Sequence, residues 1–148
     1  MPLAAARAAR IALLYGVWHA AHGYADHWGQ DNDDALDKGR AGRAGRAACA
    51  RHVLNLTVTK VAALALAGAA TGIRLYPRRV AIAMTLDAAS HYVIDRRSPL
   101  RRLAHALGKD DFIAVGDPTA APCGTAAYEL DQSLHTTLLA LAAVIAGG

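Results

Sequence analysis

Three times in this chain an imidazole and a carboxylate stand four residues apart inside an otherwise apolar stretch. The pairs are His22 and Asp26 in HGYAD, His91 and Asp95 in HYVID, and Asp131 and His135 in DQSLH. An α-helix advances about 100° per residue, so groups at this spacing share one helical face about 6 Å apart along the axis. Helices that are apolar elsewhere can bury such faces only by turning them toward one another. The pattern therefore predicts an all-α fold in which at least three helices aim polar side chains at one centre.

Punctuation residues divide the chain accordingly. A first helix is expected from about Leu3 to Trp28, stopped at Gly29, with QDNDD read as loop chemistry. In GRAGRAGRAA the glycines weaken the helical turn, so a second helix is expected to be firm from about Ala47 and to stop at Thr71-Gly72. Pro77 opens a third helix that runs to Asp95. Ser98 and Pro99 read as N-cap and first position of a short helix through Leu107. From Lys109 to Gly124, Gly116, Pro118 and Pro122 predict a long loop, and loops of that length in compact domains are often functional. The last long helix begins near Thr125 and runs to Ile145. The expected architecture is a four-helix bundle with one short extra helix and a long loop before the last helix. At 148 residues it forms a single helical domain.

Apolar residues make up 54% of the chain but aromatic ones only 5%, so the core must be built from Ala, Leu, Val and Ile. The net charge of +4 comes mainly from arginines clustered at Arg40–Arg51, Arg74–Arg79 and Arg96–Arg102. Solvated helix ends explain most of this, with phosphate contact as the functional alternative. No aromatic interleaving supports specific nucleic-acid reading. Cys49 and Cys123 lie far apart without a secretory signal, which implies reduced thiols and a cytoplasmic protein. Membrane association stays open. Val53 to Gly72 is strongly apolar but contains Lys60, and Leu134 to Gly148 falls short of the ~20 residues needed to span a bilayer.

Burying isolated carboxylates is costly unless a metal, a proton or a cation compensates them, and this favours a metal site over unrelated helix pairing. Imidazole with carboxylate suits zinc, with manganese or iron as alternatives. His22, Asp26, His91, Asp95, Asp131 and His135 are the ligand candidates. Asp26, Asp95 and Asp131 are also the candidate catalytic carboxylates. Gln30, four residues beyond Asp26, continues the same face as a supporting residue. His52 lies in a mostly apolar neighbourhood three residues after Cys49, which could join the site or pack as a small apolar group. His19 and His27 flank the first pair and could support it, whereas His105 should be solvated. The glutamates of a di-iron bundle are missing, since Glu129 stands alone. No phosphate loop or dinucleotide fingerprint occurs.

Taken together, HGYADHWGQ, CARHV, SHYVIDRRSPLRRLA and GTAAYELDQSLH resemble a bacterial and phage family of multi-helix proteins, the domain-of-unknown-function family 3307, over roughly Val17 to Leu138. The family motifs look like H-x-x-A-D-x-x-x-Q, A-C-x-x-H, T-H-x-x-x-D-R-R and L-D-Q-x-x-H. The resemblance implies a polar set of His22, Asp26, Gln30, Cys49, His52, His91, Asp95, Asp131, Gln132 and His135, which adds His52 to the ligands and Gln132 to the supporting residues. Ser90 stands where threonine is usual, and Leu134 where an aromatic is common. Similar multi-helix proteins are called membrane-bound metal-dependent hydrolases, which implies a hydrolase by analogy. Arg96, Arg97, Arg101 and Arg102 follow Asp95 closely and could bind a phosphoester, so a small phosphorylated substrate is expected.

Overall fold

The computed structural model describes residues 2–119 and 123–148. Its described residues form seven helices and no strand: α1 (Leu3–His27), α2 (Asn32–Asp37), α3 (Gly42–Thr71), α4 (Pro77–Asp95), α5 (Ser98–Ala106), α6 (Asp110–Ile113) and α7 (Ala126–Gly147). The four long helices pair in a closed ring, α1 with α3 and α7, and α4 with α3 and α7.

Their boundaries have local causes. Gly72 ends α3 in the left-handed conformation at φ 64°, accessible to glycine without a Cβ penalty. Pro77 starts α4, where its missing N–H costs nothing. The Thr125 hydroxyl caps α7 by accepting from the Tyr128 N–H at 3.2 Å.

Four sequence expectations need correction. The QDNDD segment is not all loop, because Asp31 caps α2 through the Asp33 N–H at 2.8 Å, and Asp33 and Asp34 complement the helix dipole. The helix through GRAGRAGRAA is formed from Gly42 onward. Gly45 is buried where any Cβ would collide with the Arg40 carbonyl, so this glycine is a packing requirement and not a weak point. Arg97, not Ser98, is the residue preceding α5, at φ 58°, a conformation uncommon outside glycine. The stretch before α7 contains α6, so the long helices are joined by three short ones rather than one; Pro122 lies outside the described residues.

The apolar core sits toward the half of the ring away from the polar pairs. Leu14 and Trp18 of α1, Leu64 of α3, Met84 of α4 and Leu139 of α7 fill it, with Ala83, Ala142, Ala143 and Ala146 letting the helices approach closely. Two helices, Gly42–Thr71 and Ala126–Gly147, are long and apolar enough to cross a membrane by length and composition.

Candidate metal centre

The structure brings all seven ligand candidates to one place. α1 delivers His22 and Asp26, α3 His52, α4 His91 and Asp95, and α7 Asp131 and His135, at the end of the ring where α1 and α4 finish and α7 begins. His52, His91, Asp95 and His135 are no more than 3% exposed. Asp131 is the more open carboxylate, with 19% of its side chain accessible.

The cluster is tight. His52 Nε2 lies 2.9 Å from Asp26 Oδ1 and 3.2 Å from Asp95 Oδ2, and His91 Nε2 lies 3.1 Å from the same Asp95 oxygen. The His52 and His91 Nε2 atoms are 3.0 Å apart. His135 Nε2 is 3.5 Å from both Asp95 and Asp131. The imidazoles of His91 and His135 have centroids 4.0 Å apart, and His22 lies 5.2 Å from each of them.

Only part of this proximity is hydrogen bonding: the His52 and His91 Nε2 atoms share a hydrogen bond, and the Lys38 ammonium reaches His52 Nε2. Both ring nitrogens of His22, Asp26 Oδ1, Asp95 Oδ2 and His135 Nε2 are buried without a hydrogen-bond partner, even where a neighbouring atom lies near 3 Å. Unsatisfied buried polar groups are individually costly, and several in one cluster are what a shared ion, an ordered water or a proton would satisfy. Three overlapping groups have donor atoms within 4.8 Å of one another: His22, His91 and His135; Asp26, His52 and His91; and Asp95, Asp131 and His135. Because His91 and His135 each belong to two groups, the donors form one continuous set that could hold one or two ions. The mixture of imidazole and carboxylate fits zinc, manganese or iron.

The surrounding residues divide into those that touch the cluster and those that do not. The Gln132 amide donates to Asp26 at 3.2 Å and to Asp131 at 3.3 Å, tying α7 to α1. Gln30 reaches the cluster through Lys38, whose ammonium donates to its amide oxygen at 3.5 Å. Cys49 is buried with its thiol donating to the Tyr92 carbonyl at 3.6 Å; it clamps α3 to α4 and makes no hydrogen bond to a ligand side chain. His19 is exposed and stacks on Tyr15, and His27 bonds Gly23 and the Tyr128 hydroxyl, so neither joins the cluster. His105 is exposed and pairs with Asp110.

Sequence reasoning missed Lys38. At the C-terminal end of α2, its ammonium stands 3.1 Å from Asp95, 3.8 Å from Asp26 and 3.4 Å from His52 Nε2. The one available signal is that Lys38 is the single cation in an acidic stretch, DNDDALDK.

Above the cluster lies a cavity of about 470 Å³ whose wall includes Asp26, Lys38, Asp95, Arg97, Arg101 and Asp131. Ile113, Pro118 and Cys123 also line it, so the segment before α7 borders the mouth of the cavity. Arg96 does not: its guanidinium donates to the Lys38 and Arg40 carbonyls and holds the turn between α2 and α3. Arg97 donates to the Ala35 carbonyl at 3.2 Å while still facing the cavity.

No protein-family model, curated protein or solved structure matches the chain.

Proposed function

We propose that the chain is a metal-dependent hydrolase built on a four-helix bundle, with His22, Asp26, His52, His91, Asp95, Asp131 and His135 as the donor set. The observation that carries this reading is the convergence of buried imidazole and carboxylate donor atoms within 4.8 Å of one another, several of them without a hydrogen-bond partner. A bound divalent ion, zinc in the first instance, would supply an activated water and polarise the bond to be cleaved. The resemblance to the family 3307 proteins implies the same polar residues, and the hydrolase reading comes by analogy from similar multi-helix proteins.

The cavity suggests an anionic substrate, and a phosphoester fits best. Arg97 and Arg101 on its wall present guanidinium groups suited to phosphate oxygens, with Lys38 deeper in. Asp131 is both part of the cluster and partly exposed to the cavity, which suits it to accept a proton from an attacking water. Gln132 holds Asp131 and Asp26 in fixed relation. The test is turnover by the purified protein, supplied in turn with zinc, manganese and iron, on nucleotide, lipid-headgroup and generic phosphoesters. Hydrolysis lost in Asp131→Asn is the expected result, and no turnover with any metal or substrate would overturn the reading.

One observation favours a second reading, a non-catalytic module. The Lys38 ammonium beside Asp26 and Asp95 can balance part of the carboxylate charge without any ion. In that case the cluster is a buried polar network whose value is structural.

A further inference from the structure

The outer surface of the long helices carries an inference that stands independently of the metal reading. Four stretches bound it: Arg10 to Asp26 in α1, Arg51 to Arg74 through α3, Arg79 to Asp95 in α4, and Asp131 to Gly148 through α7. Between those limits the only Lys, Arg, Asp or Glu side chains are Lys60 and Asp87. Both are buried, and they pair with each other, Lys60 Nζ donating to Asp87 Oδ2 at 2.7 Å. No formal charge therefore reaches the outside of this zone. Beside the His19 imidazole and a few hydroxyls, what does reach it is apolar: Leu54, Val61 and Leu66 on α3, Ile82 and Leu86 on α4, and Leu141 on α7 are each more than half exposed.

A helix that is apolar all round belongs in the core of a large protein or in a membrane. In this fold α3 lacks such a cover, since only 22% of its most apolar window is buried. Four hydroxyls on these helices are also satisfied from within. Thr57, Thr59, Thr85 and Thr137 each donate a hydroxyl proton to the carbonyl four residues earlier, which water would make unnecessary and hydrocarbon requires.

The height of the zone is right. Asp26 follows Arg10, and Asp95 follows Arg79, by sixteen positions, about 24 Å of helix, against a hydrocarbon core of about 30 Å that can thin locally. Both ends carry interfacial chemistry. At one, the Arg10 and Arg79 guanidinium groups lie over the Tyr76 ring at 4.9 and 5.4 Å. At the other, Tyr24 and Trp28 are exposed beside the cluster, and α5 turns Leu100 and Ala104 inward while Arg101 borders the cavity and Arg102 is exposed.

The geometry points to one partner for this surface: the acyl-chain layer of a lipid bilayer, spanned by α1, α3, α4 and α7, with the His/Asp cluster and its cavity opening at headgroup depth. Lys60 and Asp87 are then a buried intramembrane ion pair, the form in which charges persist inside a bilayer.

The test uses the full chain without a tag. It should remain with the membrane fraction through high-salt and alkaline carbonate washes, require detergent for release, and float with vesicles of phosphatidylcholine and phosphatidylglycerol after reconstitution. Val61→Asp and Leu86→Asp, placed mid-height on the exposed face, should lower the vesicle-integrated fraction by about fivefold or more, whereas Leu107→Asp, exposed on the loop side, should not. Recovery of the wild type from a detergent-free extract as a monomer would overturn the proposal. Recovery there as a dimer or larger assembly would overturn it too, by assigning the face to further copies of the chain. Metal content and hydrolysis do not enter this measurement, so its failure leaves the reading of the cluster to be judged separately.

Discussion

Lys38 shows how much a single side chain can decide in a buried polar cluster. Three carboxylates, Asp26, Asp95 and Asp131, crowd the site, and the Lys38 ammonium reaches two of them. A divalent cation entering the donor set would compete with that ammonium for the same oxygens. Lys38→Met should therefore act in opposite directions on the two forms of the protein. The metal-free form should lose about 1.5–3 kcal/mol, the worth of a hydrogen bond involving a charged group, here those the ammonium makes with Gln30 and His52. Metal affinity should rise by roughly tenfold, equivalent to about 1.4 kcal/mol. Thermal unfolding with and without added zinc checks both, and equal shifts in the two forms would show that Lys38 does not compete with the ion. Lys38 was hidden from sequence reasoning for a physical reason. Its distance from Asp95 depends on α2 packing against α3, and no helical periodicity connects it to the other residues. The His/Asp pairs were legible because the spacing that creates a shared helical face lies within each segment.

Among the elements, α3 and α4 are joined by the Lys60–Asp87 pair near the middle of their contact. Neither residue has an alternative charged partner in that apolar zone. Removing one partner leaves the other buried and uncompensated, so Lys60→Met should destabilise the fold by about 3–5 kcal/mol. Replacing both, as Lys60→Met with Asp87→Leu, should recover most of that loss. Denaturation of the two single variants and the double variant measures the coupling, and strictly additive losses would contradict a direct buried pair. The long helices themselves were readable from their apolar runs and from Gly72 and Pro77. α2 was not, because DNDD has turn-forming composition, and only the cap from Asp31 to the Asp33 N–H converts it into a helix. Gly45 misled in the same way: glycine weakens an isolated helix, but here it admits the Arg40 carbonyl.

At the scale of the whole molecule, two properties coexist: polar side chains gathered at one end of the helical ring, and an apolar exterior free of formal charge beside them. Convergence at one end followed from the sequence, since three apolar helices with one polar face each have few ways to bury it. Which apolar residues face outward did not, because α3 and α4 are apolar on buried and exposed faces alike and periodicity cannot assign a side. The central claim is that the polar end is one shared metal centre. The most direct measurement is elemental analysis of tag-free protein and of His91→Ala, His135→Ala, their double variant and His105→Ala, with His105 exposed and paired to Asp110 away from the cluster. The account predicts one or two divalent transition-metal ions bound to the wild type and to His105→Ala. It predicts metal lost from each of the other single variants, and a double variant little worse than either, because both histidines serve the same donor set. Metal content in His91→Ala and His135→Ala indistinguishable from that of His105→Ala would contradict it.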